Sequence, residues 1–137
     1  MKALAFDENI LTNIEKIDEQ HKHLISVINS FLKAIDDKLP IPELERALDQ
    51  IIFYSSFHFS HEEELMGEYN CPLINLAKQQ HQSFILNLNM LKYKLRALGI
   101  TSETIQEIEL LIEQMINHII TLDTKIQGCH CQNKSKK

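Results

Sequence analysis

Six residues of this 137-residue chain have the types and spacing of a metal site: His21, His58, Glu62, His81, His118 and Asp123. Each histidine falls in an apolar run at helical spacing, where a core residue belongs. Burying an uncompensated neutral polar group costs roughly 2–7 kcal/mol, and one metal ion can compensate several such groups together. His58 and Glu62 are four residues apart, so one helix face, about 40° wide, offers a nitrogen and an oxygen to one point. His118 and Asp123 are five apart, roughly 140° around a helix axis. They flank a stripe and converge only over Ile119 and Leu122. Imidazole and carboxylate without cysteine suit iron, manganese or zinc, and carboxylates at the centre of a helical bundle commonly bridge two metals. A single buried histidine is more often a hydrogen-bonded core residue. Four histidines and two carboxylates drawn from four segments favour metal, because unpaired buried polar groups are so unfavourable.

Other chemically capable residues carry less weight. His23 lies two positions from His21, on a different face, and His61 is about 100° from the Glu62 line; both are expected at the surface or its boundary. Glu63, Glu64 and Glu68 read as a solvated face. Cys129-His130-Cys131 offers soft ligands, but in a lysine-rich tail it is better read as inert. Met115, Phe84 and Leu88 read as core, or as the wall of a ligand pocket.

Four helices must position the six residues. The first is expected from about Asp18 to Asp37, with Ile17, His21, Leu24, Ile28, Phe31 and Ile35 on one stripe. The second begins at Pro42, with Glu43 and Glu45 favourable near its start. Its stripe is Leu44, Leu48, Ile51, Ser55, His58, Glu62, Leu65 and Tyr69. The third runs from Pro72 to just before Gly99, a stop signal, with Ala77, His81, Phe84, Leu88, Leu91, Leu95 and Leu98 inward. The fourth is capped by Thr101 or Ser102 and ends near Gly128. Its apolar face is broader: Ile105, Ile108, Ile112, Met115, Ile119, Leu122 and Ile126. This pattern predicts an all-α, antiparallel up-down four-helix bundle over 17–127. An N-terminal arm over 1–16 and a loose polar tail over 128–137 complete the reading, and no internal repeat is visible.

Composition narrows the function. Three glycines and three prolines favour long helices over a sheet. A net charge of −5 argues against nucleic acid as the main partner. No apolar run approaches the roughly 20 residues of a membrane span. Asp7 and Glu8 interrupt any signal-peptide core. Three cysteines make no disulfide framework, so a reducing cytoplasm is the expected compartment. A monomer is the expected state.

Taken together, Ile17-Asp18-Glu19-Gln20-His21-Lys22, His58-Phe59-x-x-Glu62-Glu63-x-x-Met66, His81 and Asn117-His118-Ile119-x-x-x-Asp123 resemble the hemerythrin family, most closely its bacterial single-domain members. The resemblance extends from Phe6 to about Asp123. It implies a non-haem centre of two iron ions, joined by an oxo or hydroxo bridge, that binds O₂ or another small diatomic ligand. His21 and His58 would serve one iron, His81 and His118 the other, with Glu62 and Asp123 bridging. One departure falls on the ligand set: the family's His-x-x-x-His pair on the third helix begins here at Ala77, whose methyl cannot ligate. Water filling the space beside Ala77 is the expected outcome, giving two histidines to each metal. Phe6 and Gln114 also stand where the family commonly has tryptophan.

The resemblance favours O₂ carriage, storage or sensing. A di-iron oxidase, peroxidase or nitric-oxide-handling protein exploiting the gap at Ala77 is the alternative, without a visible general acid–base pair to support it. A bundle that has lost its metal would show decay across the ligand set, whereas only Ala77 departs. Zinc in place of iron is permitted by the ligand types.

Overall fold

The computed structural model describes residues 12, 14–121 and 125. Four α-helices follow one another: α1 (Glu15–Asp36), α2 (Ile41–Glu68), α3 (Ile74–Leu98) and α4 (Ser102–Thr121). Each packs on the next in chain order, and the result is the expected all-α four-helix bundle. The starts of α1 and α2 agree with the sequence reading to within three residues. The end of α4, residues 1–11 of the expected arm and the tail lie outside the described residues, as does Asp123, while Glu15 and Lys16 at the end of that expected arm already belong to α1.

Local chemistry sets the helix ends. Pro42 occupies the first turn of α2, where its missing N–H costs nothing. Gly99 closes α3 with φ +68°, a conformation open to glycine without a Cβ clash, and its N–H donates to the Leu95 carbonyl. Thr101 is the cap of α4. The Thr104 N–H donates to Thr101 Oγ1 at 3.2 Å, and the Thr101 N–H donates to Thr104 Oγ1 at 2.8 Å. Two otherwise orphaned donors are thus satisfied reciprocally. At the start of α1, Asp18 Oδ1 accepts from both the backbone N–H and the hydroxyl of Thr12 at 2.7 Å.

Across α2 and α3, Lys92 pairs with Asp49 at 2.8 Å and Arg96 with Glu45. One residue advances as the other recedes, which is antiparallel register. Lys94 pairs with Glu107 across α3 and α4.

Among the described residues the core falls into two apolar clusters. The larger contains Leu24, Phe31, Leu48, Leu91, Ile108 and Met115. The smaller contains Met66, Cys71 and Ala77, with Ile14, Tyr69, Leu73 and Ile74 packed against it. Between them in the sequence of α1, α2 and α3 stand the polar residues His21, His58, Glu62 and His81.

Burial reveals a regularity that residue identities conceal. Ile17, His21, Leu24, Ile28, Phe31 and Ile35 are buried on α1, and Ala77, His81, Phe84, Leu88, Leu91 and Leu95, each 60 positions later, are buried on α3. The same offset relates Leu44, Leu48, Ile51, Ser55, His58 and Phe59 of α2 to Thr104, Ile108, Leu111, Met115, His118 and Ile119 of α4. The expectation of no internal repeat holds for sequence identity but not for the buried pattern. α1 buries four further residues, Ile25, Val27, Leu32 and Ala34, so the halves are equivalent at the core seam rather than all round.

Candidate metal centre

The bundle converges five of the six expected residues. His21, His58, Glu62, His81 and His118 are all buried, with Glu62 and His21 fully sequestered. The ligand atoms of His21, His58 and Glu62 lie within 4.8 Å of one another, and so do those of Glu62, His81 and His118. Glu62 therefore belongs to both triads.

The first triad joins α1 and α2. The His21 and His58 rings meet edge to face with centroids 4.4 Å apart. His21 Nε2 is 3.7 Å from Glu62 Oε1. His58 Nε2 is aimed at the same oxygen, in a geometry that makes no hydrogen bond. The second triad joins α3 and α4 to α2. His81 Nε2 and His118 Nε2 face each other at 2.9 Å, with ring centroids 4.7 Å apart. Two nitrogens each about 2.1 Å from one metal and at right angles would be about 3.0 Å apart, so this separation suits neighbouring ligands of one ion.

The outward nitrogens fix the tautomers. His58 Nδ1 donates to Gln20 Oε1 at 2.7 Å, His118 Nδ1 to Gln80 Oε1 at 2.7 Å, and His81 Nδ1 to Glu63 Oε2 at 3.0 Å. With the proton held on Nδ1, each Nε2 presents a lone pair inward, as a metal requires. Lone pairs converging on a buried carboxylate repel in the absence of a cation, and a positive ion reconciles them. The donor set accordingly fits a metal centre. Phe59 lies parallel to His81 with centroids 3.9 Å apart, which holds that ring in plane.

Sequence reasoning missed these supporting partners. Glu63 was expected on a solvated face, yet it holds His81. His61 sits at the boundary as expected, but Gln20 Nε2 donates to its Nδ1 at 3.0 Å. Burial, aided by nearby Lys16, pushes His61 below the ordinary imidazole range, so its neutral ring serves as that acceptor. A signal was present: a glutamine immediately precedes both His21 and His81, and each glutamine serves the histidine of the next helix. His23 is exposed, with its ring edge to face on Tyr54 at 4.3 Å.

Ala77 is fully buried and belongs to the apolar cluster of Met66 and Cys71. Cys71 is disulfide-bonded, a bond not foreseen by the reading that the three cysteines make no disulfide framework; the Cys129-His130-Cys131 segment lies outside the described residues.

A cleft of about 320 Å³ opens between α3 and α4 onto the second triad. Phe59, Phe84 and Met115 line it together with Gln80, Ser83, Gln114, Asn117, His81 and His118.

An all-α bundle whose polar layer gathers histidines around a shared glutamate defines a class of buried-centre metal-binding proteins. Residues 12–126 match the family model described as the hemerythrin HHE cation binding domain, and the chain belongs to the hemerythrin family. It is 26% identical over 119 residues to a bacteriohemerythrin of Stenotrophomonas maltophilia, covering 87% of this chain and 76% of that one. It is 28% identical over 124 residues to a myohemerythrin of Theromyzon tessulatum, covering 90% of each. A solved structure of a leucine-to-phenylalanine mutant superposes with a TM-score of 0.80 at 22% identity, over 94% of this chain and 98% of that chain. That likeness speaks to the fold.

Proposed function

We propose that this chain is a non-haem di-iron protein that binds O₂ for carriage, storage or sensing. The observation that carries the reading is Glu62, one carboxylate common to two histidine pairs. His21 and His58 would hold one iron, His81 and His118 the other, and Glu62 and Asp123 would bridge them. The irons would supply reversible electron donation to a bound diatomic molecule. The protein's own part is to orient and to exclude. Gln20, Gln80 and Glu63 hold protons on the outward nitrogens and so keep the inward ones available. Burial keeps bulk water from His21, His58 and Glu62, on which reversible binding of a reactive gas depends.

Ala77 makes the two halves alike, with two histidines each. A second reading, a di-iron oxidase, peroxidase or nitric-oxide-handling protein, is favoured by the cleft beside His81 and His118, which exceeds what a diatomic ligand needs.

Among the described residues no helix is long and apolar enough to cross a membrane. A cytoplasmic location and a monomeric state complete the proposal. The Cys71 disulfide bears on the first, since such bonds persist in oxidising compartments. A cytoplasmic protein should yield Cys71 reduced when thiols are trapped at lysis.

The test is iron content per chain with the visible spectrum in air, after deoxygenation and with azide. Two irons and a charge-transfer band that disappears on deoxygenation and returns in air support O₂ binding. Irreversible bleaching in air favours the second reading. A colourless protein holding zinc or nothing defeats both.

A further inference from the structure

The four inward histidines share one layer of the bundle. Each has a residue about one turn away, on the same side of that layer. On antiparallel helices these are Leu24, three positions after His21, and Ser55, three before His58; then Phe84, three after His81, and Met115, three before His118. All four are buried. Leu24, Phe84 and Met115 are large, apolar members of the main core cluster. Ser55 is the small polar exception.

Its hydroxyl is fully buried and makes no hydrogen bond. A helical serine usually has an acceptor within reach, the carbonyl one turn back. Ser30 uses it, its Oγ donating to the Ser26 carbonyl at 3.1 Å; Ser55 does not. An unmet buried donor is a standing cost, and alanine would fill nearly the same space without it. Packing accounts for a small side chain at this position but not for the oxygen.

The neighbouring residues of α2 indicate what the oxygen can serve. Glu62 is seven positions on from Ser55, about 20° from its line, and His58 is about 60° from it. Helical side chains lean toward the helix N-terminus, so His58 and Glu62 reach back over the turn that carries Ser55. The hydroxyl therefore stands beside the His21–His58–Glu62 triad. A cation there draws its bonds from nitrogen lone pairs and a carboxylate. What that set lacks is a proton donor, and a ligand gathering negative charge at the cation would accept one strongly. Met115, the counterpart beside His118, has no proton to donate.

We propose that Ser55 Oγ donates a hydrogen bond to a small ligand taken up at the His21–His58 half of the centre, and that this bond favours that half over the other. The proposal rests on the di-iron reading above and adds to it a named ligand-holding group.

The experiment is azide titration of oxidised, iron-loaded full-length protein, followed by visible and infrared absorption, in wild type, Ser55→Ala and Ser55→Thr, with iron counted in each. Ser55→Ala should weaken azide by about tenfold to hundredfold, the range for a hydrogen bond to a charged group, with iron per chain unchanged. In wild type the azide stretch should shift between H₂O and D₂O; in Ser55→Ala that shift should vanish. Ser55→Thr keeps the hydroxyl and should retain both affinity and shift. Wild-type azide affinity in Ser55→Ala, at full iron content, overturns the proposal and leaves the di-iron reading standing. Iron loss in proportion to azide loss also overturns it, since the hydroxyl would then serve the metal. A wild-type protein that takes up no iron defeats the di-iron reading and this proposal with it.

Discussion

Gln20 and Gln80 stand in equivalent places: each accepts a hydrogen bond at 2.7 Å from the outward nitrogen of a histidine on the next helix, 38 positions further along. One holds His58, the other His118. The amide fixes which nitrogen is protonated, and that choice decides whether the imidazole can face a metal.

Gln20→Leu and Gln80→Leu should therefore each lower metal affinity by about 10–100-fold, the usual effect of removing such a support. Competition against a calibrated chelator measures it. Gln80→Glu keeps an acceptor and should recover most of the loss. An unchanged affinity in both leucine variants would remove the tautomer argument.

Ala77→His tests the missing ligand. The position is fully buried against Met66 and Cys71, so an imidazole overpacks the small cluster at a cost of roughly 1–3 kcal/mol. Urea unfolding of the metal-free variant should show that loss. With iron the loss should shrink, because the new ring gains a ligand bond. If iron leaves the deficit untouched, Ala77 does not border a coordination position.

Ser55 is fully buried, and its hydroxyl makes no hydrogen bond. Its counterpart 60 positions on is Met115, an apolar residue. Ser55→Ala removes a desolvated hydroxyl and should leave stability unchanged or raise it by about 1 kcal/mol. A loss above about 2 kcal/mol would point to a partner for that hydroxyl.

Cys71 is disulfide-bonded, so denatured protein purified in air should react with fewer equivalents of thiol reagent than the three that reduced protein offers. Reduction should cost roughly 2–4 kcal/mol of stability. Three reactive thiols before reduction would contradict the bond at Cys71.

The helices were legible because apolar residues recur at steps of three and four, and because Pro42, Gly99 and Thr101 mark ends through fixed backbone chemistry. The inward histidines were legible for the same reason, as polar residues interrupting an apolar stripe. Gln20, Gln80 and Glu63 were not. They lie beside the stripe, at positions where polar residues ordinarily meet water, and their role depends on which helix is adjacent. The correspondence between halves was hidden because it conserves burial while exchanging Ser55 for Met115 and Phe59 for Ile119.

The placement of Glu62 on α2 also orders assembly in time. His21, His58 and Glu62 all belong to one helical hairpin, closed by the short connection between Asp36 and Ile41. The first triad thus depends on a local loop closure of the kind that forms early in folding. The second must recruit that same glutamate across to a hairpin not yet synthesised when the first is complete. On a ribosome the nascent chain would hold a half-built cation site before its other half exists, and the order of metal capture would be written into the order of the helices.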